Sequence, residues 1–361
     1  MIDTAWWYWK LGLYREHISQ SGCAILRGRM YNIVIALTCA ISLFLGGRIV
    51  HAAPAISVLG SDFTFPIQTE GLPAKLSDFK ELQINSFTTS DGVKLSYWEA
   101  GKGQPLVFIP GWSANGAEYF NIIYLLKEQF HVYVLDLRNQ GLSQHVDFGM
   151  RISRFTMDVK EFADHVGLKK ANYCGWSMGA SVLWGYIDLF GTKTINKVIF
   201  IDEAPSIYSH SDWSEQERLD AGGFTTSPER MIASFMSMTP TNTLITQNHL
   251  WERFTAMDSA YYKNTEEFSK HFIKNNVNDL NLIMFDHVTN DWRDVIRSKI
   301  DVPTAVFTGE YSDVLQSQRW IHSVIKNSKL YVYSKAEQGD HFLAFKNPIK
   351  FTADLISFLT H

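Results

Sequence analysis

The pentapeptide Gly175-Trp176-Ser177-Met178-Gly179 sets a serine between two glycines. A serine hydroxyl is a weak nucleophile until a base takes its proton, so the pattern becomes chemistry only with partners. The glycines permit a tight strand-to-helix turn that lifts the serine above a sheet. A histidine in a suitable place is His341, within Gln338-Gly339-Asp340-His341-Phe342, where it can act as general base. An acid must then orient the imidazole and stabilise its cation. Two positions compete for that role. Asp202 closes the apolar run Val198-Ile199-Phe200-Ile201, and Asp313 follows the run that ends at Gly309. Asp202 has the strand-end geometry and is the favoured acid, the competing reading being a helix cap; Asp313 is the runner-up. Asp340, beside the histidine, would point away from it in an extended turn.

An oxyanion forming on the substrate needs two backbone donors. Met178 N–H follows the serine. In Ile109-Pro110-Gly111-Trp112-Ser113, Gly111 lets the chain turn close to the site and offers Trp112 N–H as the second donor, though Pro-Gly can also be simply a turn. The side chains of Trp112 and Trp176 are candidates to line an acyl pocket. Cys174 reads as a core residue rather than a second nucleophile.

These residues need elements to hold them. Leu82–Thr89 and Val93–Glu99 flank Ser90-Asp91-Gly92, the signature of a hairpin. Apolar strands then alternate with helical patterns: strands at Leu106–Ile109, His131–Leu135, Ala171–Gly175 and Lys197–Ile201, helices at Ala117–Glu128, Thr156–Val166 and Ser177–Leu189. That rhythm predicts an α/β fold with a mostly parallel sheet covered on both faces. Glu203 to about Lys299 carries no strong strand and many aromatics, among them Trp213, Phe235, Trp251, Phe254, Tyr261, Phe285 and Trp292. Strands resume at Pro303–Thr308 and Lys329–Tyr333, and a last helix covers Pro348–Leu359. The organisation expected is a core of 81–202 and 300–361, a helical cap at 203–299 inserted between strands, and a loose lead-in at 53–80.

Together these motifs resemble the α/β-hydrolase-fold serine esterases with a helical cap, the arylesterase and non-haem chloroperoxidase kind. Asp136-Leu137-Arg138-Asn139-Gln140-Gly141-Leu142-Ser143 is similar to the family's D-x-R-G-x-G-x-S loop, with Asn139 for the first glycine. Asparagine tolerates the left-handed backbone such a place requires. Asp291-Trp292-Arg293-Asp294 and Val302-Pro303-Thr304 resemble the family's return from cap to core. Pro110 departs from the common histidine, at little cost because the donor is backbone. The resemblance implies an acid three residues after Gly309, where Ser312 stands instead, and some members supply the acid from the preceding strand. It implies no haem, metal or other cofactor. A serine at the elbow disfavours dehalogenase and epoxide hydrolase chemistry, which in this fold use aspartate there.

With 46% hydrophobic residues in 361 the chain is too apolar to be disordered. A net charge of −4 without basic runs makes nucleic acid an unexpected partner. No HExxH, GxxxxGK[ST] or GxGxxG occurs. Cys23, Cys39 and Cys174 offer no disulfide framework. Arginines before an apolar run from Tyr31 to Leu45, then Val50-His51-Ala52, have the layout of a signal peptide over 30–52 with Ala53 first in the mature chain. Residues 1–29 form an extension that a misassigned start would explain, Met30 being the more natural beginning. Export, to periplasm or medium, is the expected localisation. The alternative is an uncleaved anchor through residues 31–47, the one source of membrane contact. The expected partner is a small-molecule ester, cleaved through an acyl-enzyme; oligomeric state stays open. Other readings are a C–C bond hydrolase or lyase on the same fold, or a ligand-binding protein that keeps the pocket.

Overall fold

In the computed structural model the described residues are 53–62, 69–223 and 277–361. The N-terminal readings, Cys23, Cys39 and the aromatics Phe235, Trp251, Phe254 and Tyr261 lie outside them.

Nine strands form one sheet: β1 Ala53–Pro54, β2 Gln83–Thr88, β3 Lys94–Ala100, β4 Gln104–Ile109, β5 Phe130–Leu135, β6 Ala171–Trp176, β7 Ile195–Ile201, β8 Thr304–Gly309 and β9 Ser328–Tyr333. Their order is β1-β2-β3-β5-β4-β6-β7-β8-β9. The first three junctions are antiparallel and all those from β5 onward are parallel. The main helices are α1 Phe120–Leu126, α2 Ile152–His165, α3 Met178–Phe190, α4 Glu215–Ala221, α5 Val277–Thr289, α6 Arg293–Lys299, α7 Leu315–Val324 and α8 Pro348–Thr360.

Each central strand is apolar on both faces because helices cover both. Along β4, Leu106 and Phe108 join the core built with Ile123 of α1 and Leu355 of α8. Val107 and Ile109 join the other, with Phe155 of α2 and Leu183 of α3. The alternation follows from the two-residue period of a strand.

The sheet register positions the site. Ile109 pairs with Gly175, Trp176 with Ile201, and Ile201 with Phe307. Ser177 and Asp202, which follow β6 and β7, therefore emerge at the carboxyl edge in a row with Thr308 near the end of β8. The chain leaves β4 to form β5 on one side and β6 on the other, so the loops after β4 and β6 diverge there, the usual place for a site in such sheets.

Two sequence expectations change. The lead-in is fastened rather than loose: Ala53 and Pro54 pair with Ile84 and Gln83, and Ala55, Leu76 and Phe79 are buried in the core. Polar, Pro- and Gly-punctuated sequence hid three separated anchors. Helix α7 was also not foreseen, because its amphipathic stretch lies inside a short interval between two strong strands.

Candidate active site

Ser177 has φ 53° and ψ −133°, a backbone that side chains other than glycine rarely adopt, between β6 and α3. Its N–H donates to the Ile201 carbonyl at 2.9 Å, which ties the turn to the end of β7. A Cβ on Gly111 would come 2.9 Å from Ser177 Cβ. The missing side chain is thus what lets the loop after β4 lie against the serine. That approach brings Trp112 beside it. Met178 opens α3, and the first N–H groups of a helix have no intrahelical acceptor. Both expected oxyanion donors belong to backbone that flanks Ser177.

Asp202 likewise adopts a positive φ, 51°, as the chain leaves β7. It is 1% exposed, and its Oδ2 lies 2.8 Å from His341 Nδ1. Thr308 donates its hydroxyl to Oδ1 at 2.5 Å and Ser312 donates to Oδ2 at 2.8 Å. Asp313 is exposed. Of the two acid candidates, the structure brings Asp202 to the histidine. Ser312 occupies the place that the family resemblance reserves for the acid, and it bonds to Asp202 instead.

His341 follows β9 in a loop held from two sides. Trp176 is 2% exposed and donates its indole N–H to the His341 carbonyl at 2.8 Å. Its ring packs on Phe342 and edge-on against Phe345. A residue considered for lining an acyl pocket is thus placed behind the histidine, because the strand period turns it toward the α1 and α8 face. Asp340 accepts from Phe342 N–H at 2.8 Å and pairs with the fully buried Lys346. It points away from the imidazole, as the sequence led us to expect. A Cβ on Gly309 would overlap the Gly339 carbonyl carbon at 2.0 Å, so the β8 end and the histidine loop touch backbone to backbone.

Trp112 is half-buried and donates its indole N–H to the Leu280 carbonyl of α5 at 2.9 Å. The same helix is fastened by Asp286, which accepts Ile152 N–H at 2.7 Å, and by the Val288 carbonyl, which accepts Tyr208 N–H at 3.2 Å. Asp136 frames the D-x-R-N-Q-G-x-S loop from inside, accepting Gly116 N–H, Leu142 N–H and Trp98 Nε1–H. Burial pushes its carboxyl up to about 6, against those three donors. Asn139 has φ 66°, the left-handed conformation expected of it. Cys174 is fully buried, and burial pushes its thiol well above the ordinary range.

Residues 104–347 match the family model described as the alpha/beta hydrolase fold. The chain belongs to that family. A non-heme haloperoxidase of Rhodococcus erythropolis is 23% identical over 292 residues, 75% of this chain and 98% of the relative. A soluble epoxide hydrolase of a Corynebacterium species is 31% identical over 122 residues, 34% of this chain and 42% of that protein. Among solved structures, an esterase from Exiguobacterium antarcticum superposes with TM-score 0.65 at 20% identity, covering 77% of this chain and 99% of the esterase. A bromoperoxidase from Bacillus anthracis superposes with TM-score 0.64 at 22% identity, covering 77% and 100%. These likenesses support a hydrolase and leave open which bond it cleaves.

The residues that sequence reasoning missed are Thr308 and Glu203. Thr308 is the β8 residue paired with Val332, and its hydroxyl has no signal in a strand of β-branched residues. Glu203 follows Asp202 and is 5% exposed. Two consecutive acids ending an apolar strand were the available sign.

Proposed function

We propose that the protein is a serine hydrolase that cleaves a small to medium carboxylic ester through an acyl-enzyme. The observation that carries this reading is the 2.8 Å contact between Asp202 Oδ2 and His341 Nδ1, on a histidine loop adjoining Ser177 at its strained turn. With Nδ1 committed to the acid, the imidazole has Nε2 left to receive the serine proton. Ser177 Oγ then attacks the ester carbonyl, Trp112 and Met178 N–H groups receive the oxyanion, and His341 returns the proton to the leaving alcohol. Water, deprotonated by the same imidazole, releases the acid and restores the serine.

The epoxide hydrolase relative does not redirect this reading. Attack on an epoxide in this fold uses a carboxylate at the elbow, and residue 177 is a serine. The peroxidase names among the relatives are compatible with it, since in this family that label reflects peracid formation at the same serine, with no metal.

Of the expected cap at 203–299, residues 224–276 lie outside the described residues; within them α5, held by Trp112, is the part that this proposal sets beside the oxyanion loop. Export through residues 30–52 completes the proposal, on the strength of the arginine-flanked apolar run and Val50-His51-Ala52. N-terminal sequencing of protein recovered from a secreting host, beginning at Ala53, would support cleavage; an intact N-terminus would replace it with an anchor.

The test is hydrolysis of p-nitrophenyl esters from acetate to decanoate by the full chain and by Ser177→Ala. Turnover favouring short chains and lost in the variant supports the reading. A folded wild type inert on every ester directs attention to C–C substrates, or to ligand binding without turnover.

A further inference from the structure

A carboxylate that orients a base must itself be held in place. Asp202 is buried at the end of β7, and donors reach it from β8, from the turn after β8 and from the histidine loop. Its Oδ1 accepts the Thr308 hydroxyl at 2.5 Å. Its Oδ2 accepts both His341 Nδ1–H and the Ser312 hydroxyl, each at 2.8 Å. Both hydroxyls are fixed by the backbone around them. Thr308 is fully buried and pairs with Val332 between β8 and β9. Ser312 N–H donates to the Gly309 carbonyl at 3.1 Å, and Ser312 Oγ accepts Val314 N–H at 3.1 Å. A hydroxyl has one proton to donate, and that of Ser312 goes to Asp202.

The two carboxylate oxygens therefore have different surroundings. Thr308 bonds the oxygen that the imidazole leaves alone, which holds the carboxylate against rotation about its Cβ–Cγ bond. Ser312 bonds the same oxygen as the imidazole and draws on the same negative charge. We propose that these hydroxyls are positioning residues with separate tasks: Thr308 fixes which oxygen of Asp202 faces His341, and Ser312 competes with His341 for that oxygen and so sets the pH at which the imidazole can act as base. The inference rests on the serine-hydrolase reading, because both act through the base that serves Ser177. A carboxylate that already accepts a second donor stabilises an imidazolium less. Without Ser312 the cation is held more firmly, and the imidazole gives up its proton at higher pH.

Among the described residues, the titratable groups on the elements around the pair begin with Glu203, after the acid, and His287 of α5, its Nε2 4.0 Å from Glu203 Oε2. Glu310 and Asp313 stand in the turn after β8, and Asp340 of the histidine loop pairs with Lys346. Burial pushes Glu203 up to about 8 and His287 down to about 4. Neither changes charge at about pH 6.5, where an ordinary imidazole titrates.

The experiment compares the full-length wild type with Thr308→Val, which keeps the shape and deletes the hydroxyl, and with Ser312→Ala. Thr308→Ser and Ser312→Thr keep the hydroxyls. Hydrolysis of p-nitrophenyl butyrate is followed from about pH 5 to about pH 9, beside phosphonylation of Ser177 by a fluorophosphonate and thermal melting. In Ser312→Ala the acidic limb of kcat/KM and of phosphonylation is expected about half a pH unit or more higher, whatever the plateau rate. In Thr308→Val the plateau kcat is expected to fall about tenfold, with KM within about threefold of wild type. The two hydroxyl-keeping variants move both quantities back toward wild type. An acidic limb that stays in place in Ser312→Ala, or a plateau kcat kept in Thr308→Val, overturns the proposal, even where the melting point falls. A wild type that neither hydrolyses the ester nor labels at Ser177 overturns the serine-hydrolase reading itself, and the tasks of both hydroxyls with it.

Discussion

The indole N–H of Trp176 donates to the carbonyl of His341 at 2.8 Å, so the residue before Ser177 holds the loop of the proposed base. Trp176→Phe keeps the ring in its place among Phe342 and Phe345 and deletes the donor, leaving the His341 carbonyl short of a partner. The expected result is a kcat lowered about tenfold with KM changed by less than about threefold, since misplacing a base acts on the transition state. Stability should fall by about 1–2 kcal/mol for the lost hydrogen bond. Steady-state kinetics beside thermal melting separates the two effects, and a rise in KM alone would place Trp176 at the substrate.

The acid can be tested by moving it. Asp202→Asn should lower kcat by about 10⁴, the order expected when an orienting carboxylate becomes an amide, whereas Asp313→Asn should match the wild type. Because Ser312 Oγ lies 2.8 Å from Asp202 Oδ2, the double variant Asp202→Ser with Ser312→Asp is expected to recover at least about tenfold over Asp202→Ser alone. Ester hydrolysis at pH 7 reads the four variants beside the wild type. Recovery absent, with the fold intact, would mean that the turn after β8 aims its side chain away from the imidazole.

Glu203 and His287 also predict a shape for stability against pH. Glu203 is raised from 4.5 to about 8, so its contribution is whole below 4.5 and is lost as pH rises toward 8. His287 is lowered from 6.5 to about 4, so its contribution is whole above 6.5 and is lost as pH falls toward 4. Between 4.5 and 6.5 the two slopes cancel. From 6.5 to 8 the carboxyl alone acts, at roughly 1.4 kcal/mol per pH unit. Relative to wild type, Glu203→Gln should therefore gain stability steadily through 4.5 to 8. Urea melts at four pH values suffice, and a pH-independent difference would contradict it.

Arg138 is fully buried, bonded to Asp158 twice at 2.7 Å and to Asp91 at 3.1 and 3.2 Å. It joins the hairpin turn, the loop after β5 and α2. Arg138→Met leaves Asp158, itself 0% exposed, with its buried charge only partly compensated, and should cost about 3–5 kcal/mol. Arg154 remains as a partial partner, so the lower end is expected. A loss under about 1 kcal/mol in urea unfolding would show the network to be dispensable.

Much of this architecture was legible because it depends on local signals. The alternation of apolar runs with helical stretches located the strands from β2 to β9, and the glycines around Ser177 located the turn. Asn139 was legible too, since few side chains other than asparagine accept its left-handed backbone. What escaped depends on register between distant strands. Thr308 faces Asp202 because Ile201 pairs with Phe307, and no count along the chain supplies that pairing. Trp176 was read as a pocket residue because its neighbour is the serine; the two-residue period of β6 turns it to the opposite side. Glu203 was passed over because a charged residue at a strand end is ordinarily solvated, and only α5 and α7 packing over it make it buried.

The closeness of Ser312 to Asp202 also constrains how such a site can change over generations. If both places held aspartate, two carboxylates would share one position beside one imidazole, and one of them would be held protonated. The ionised one would still orient the ring, whereas a site carrying neither acid would lose the orienting charge. Passage between the two arrangements is therefore open through the doubly acidic site and closed through the empty one. The hydroxyl of Ser312 stands where the second acid could, and donates to Asp202.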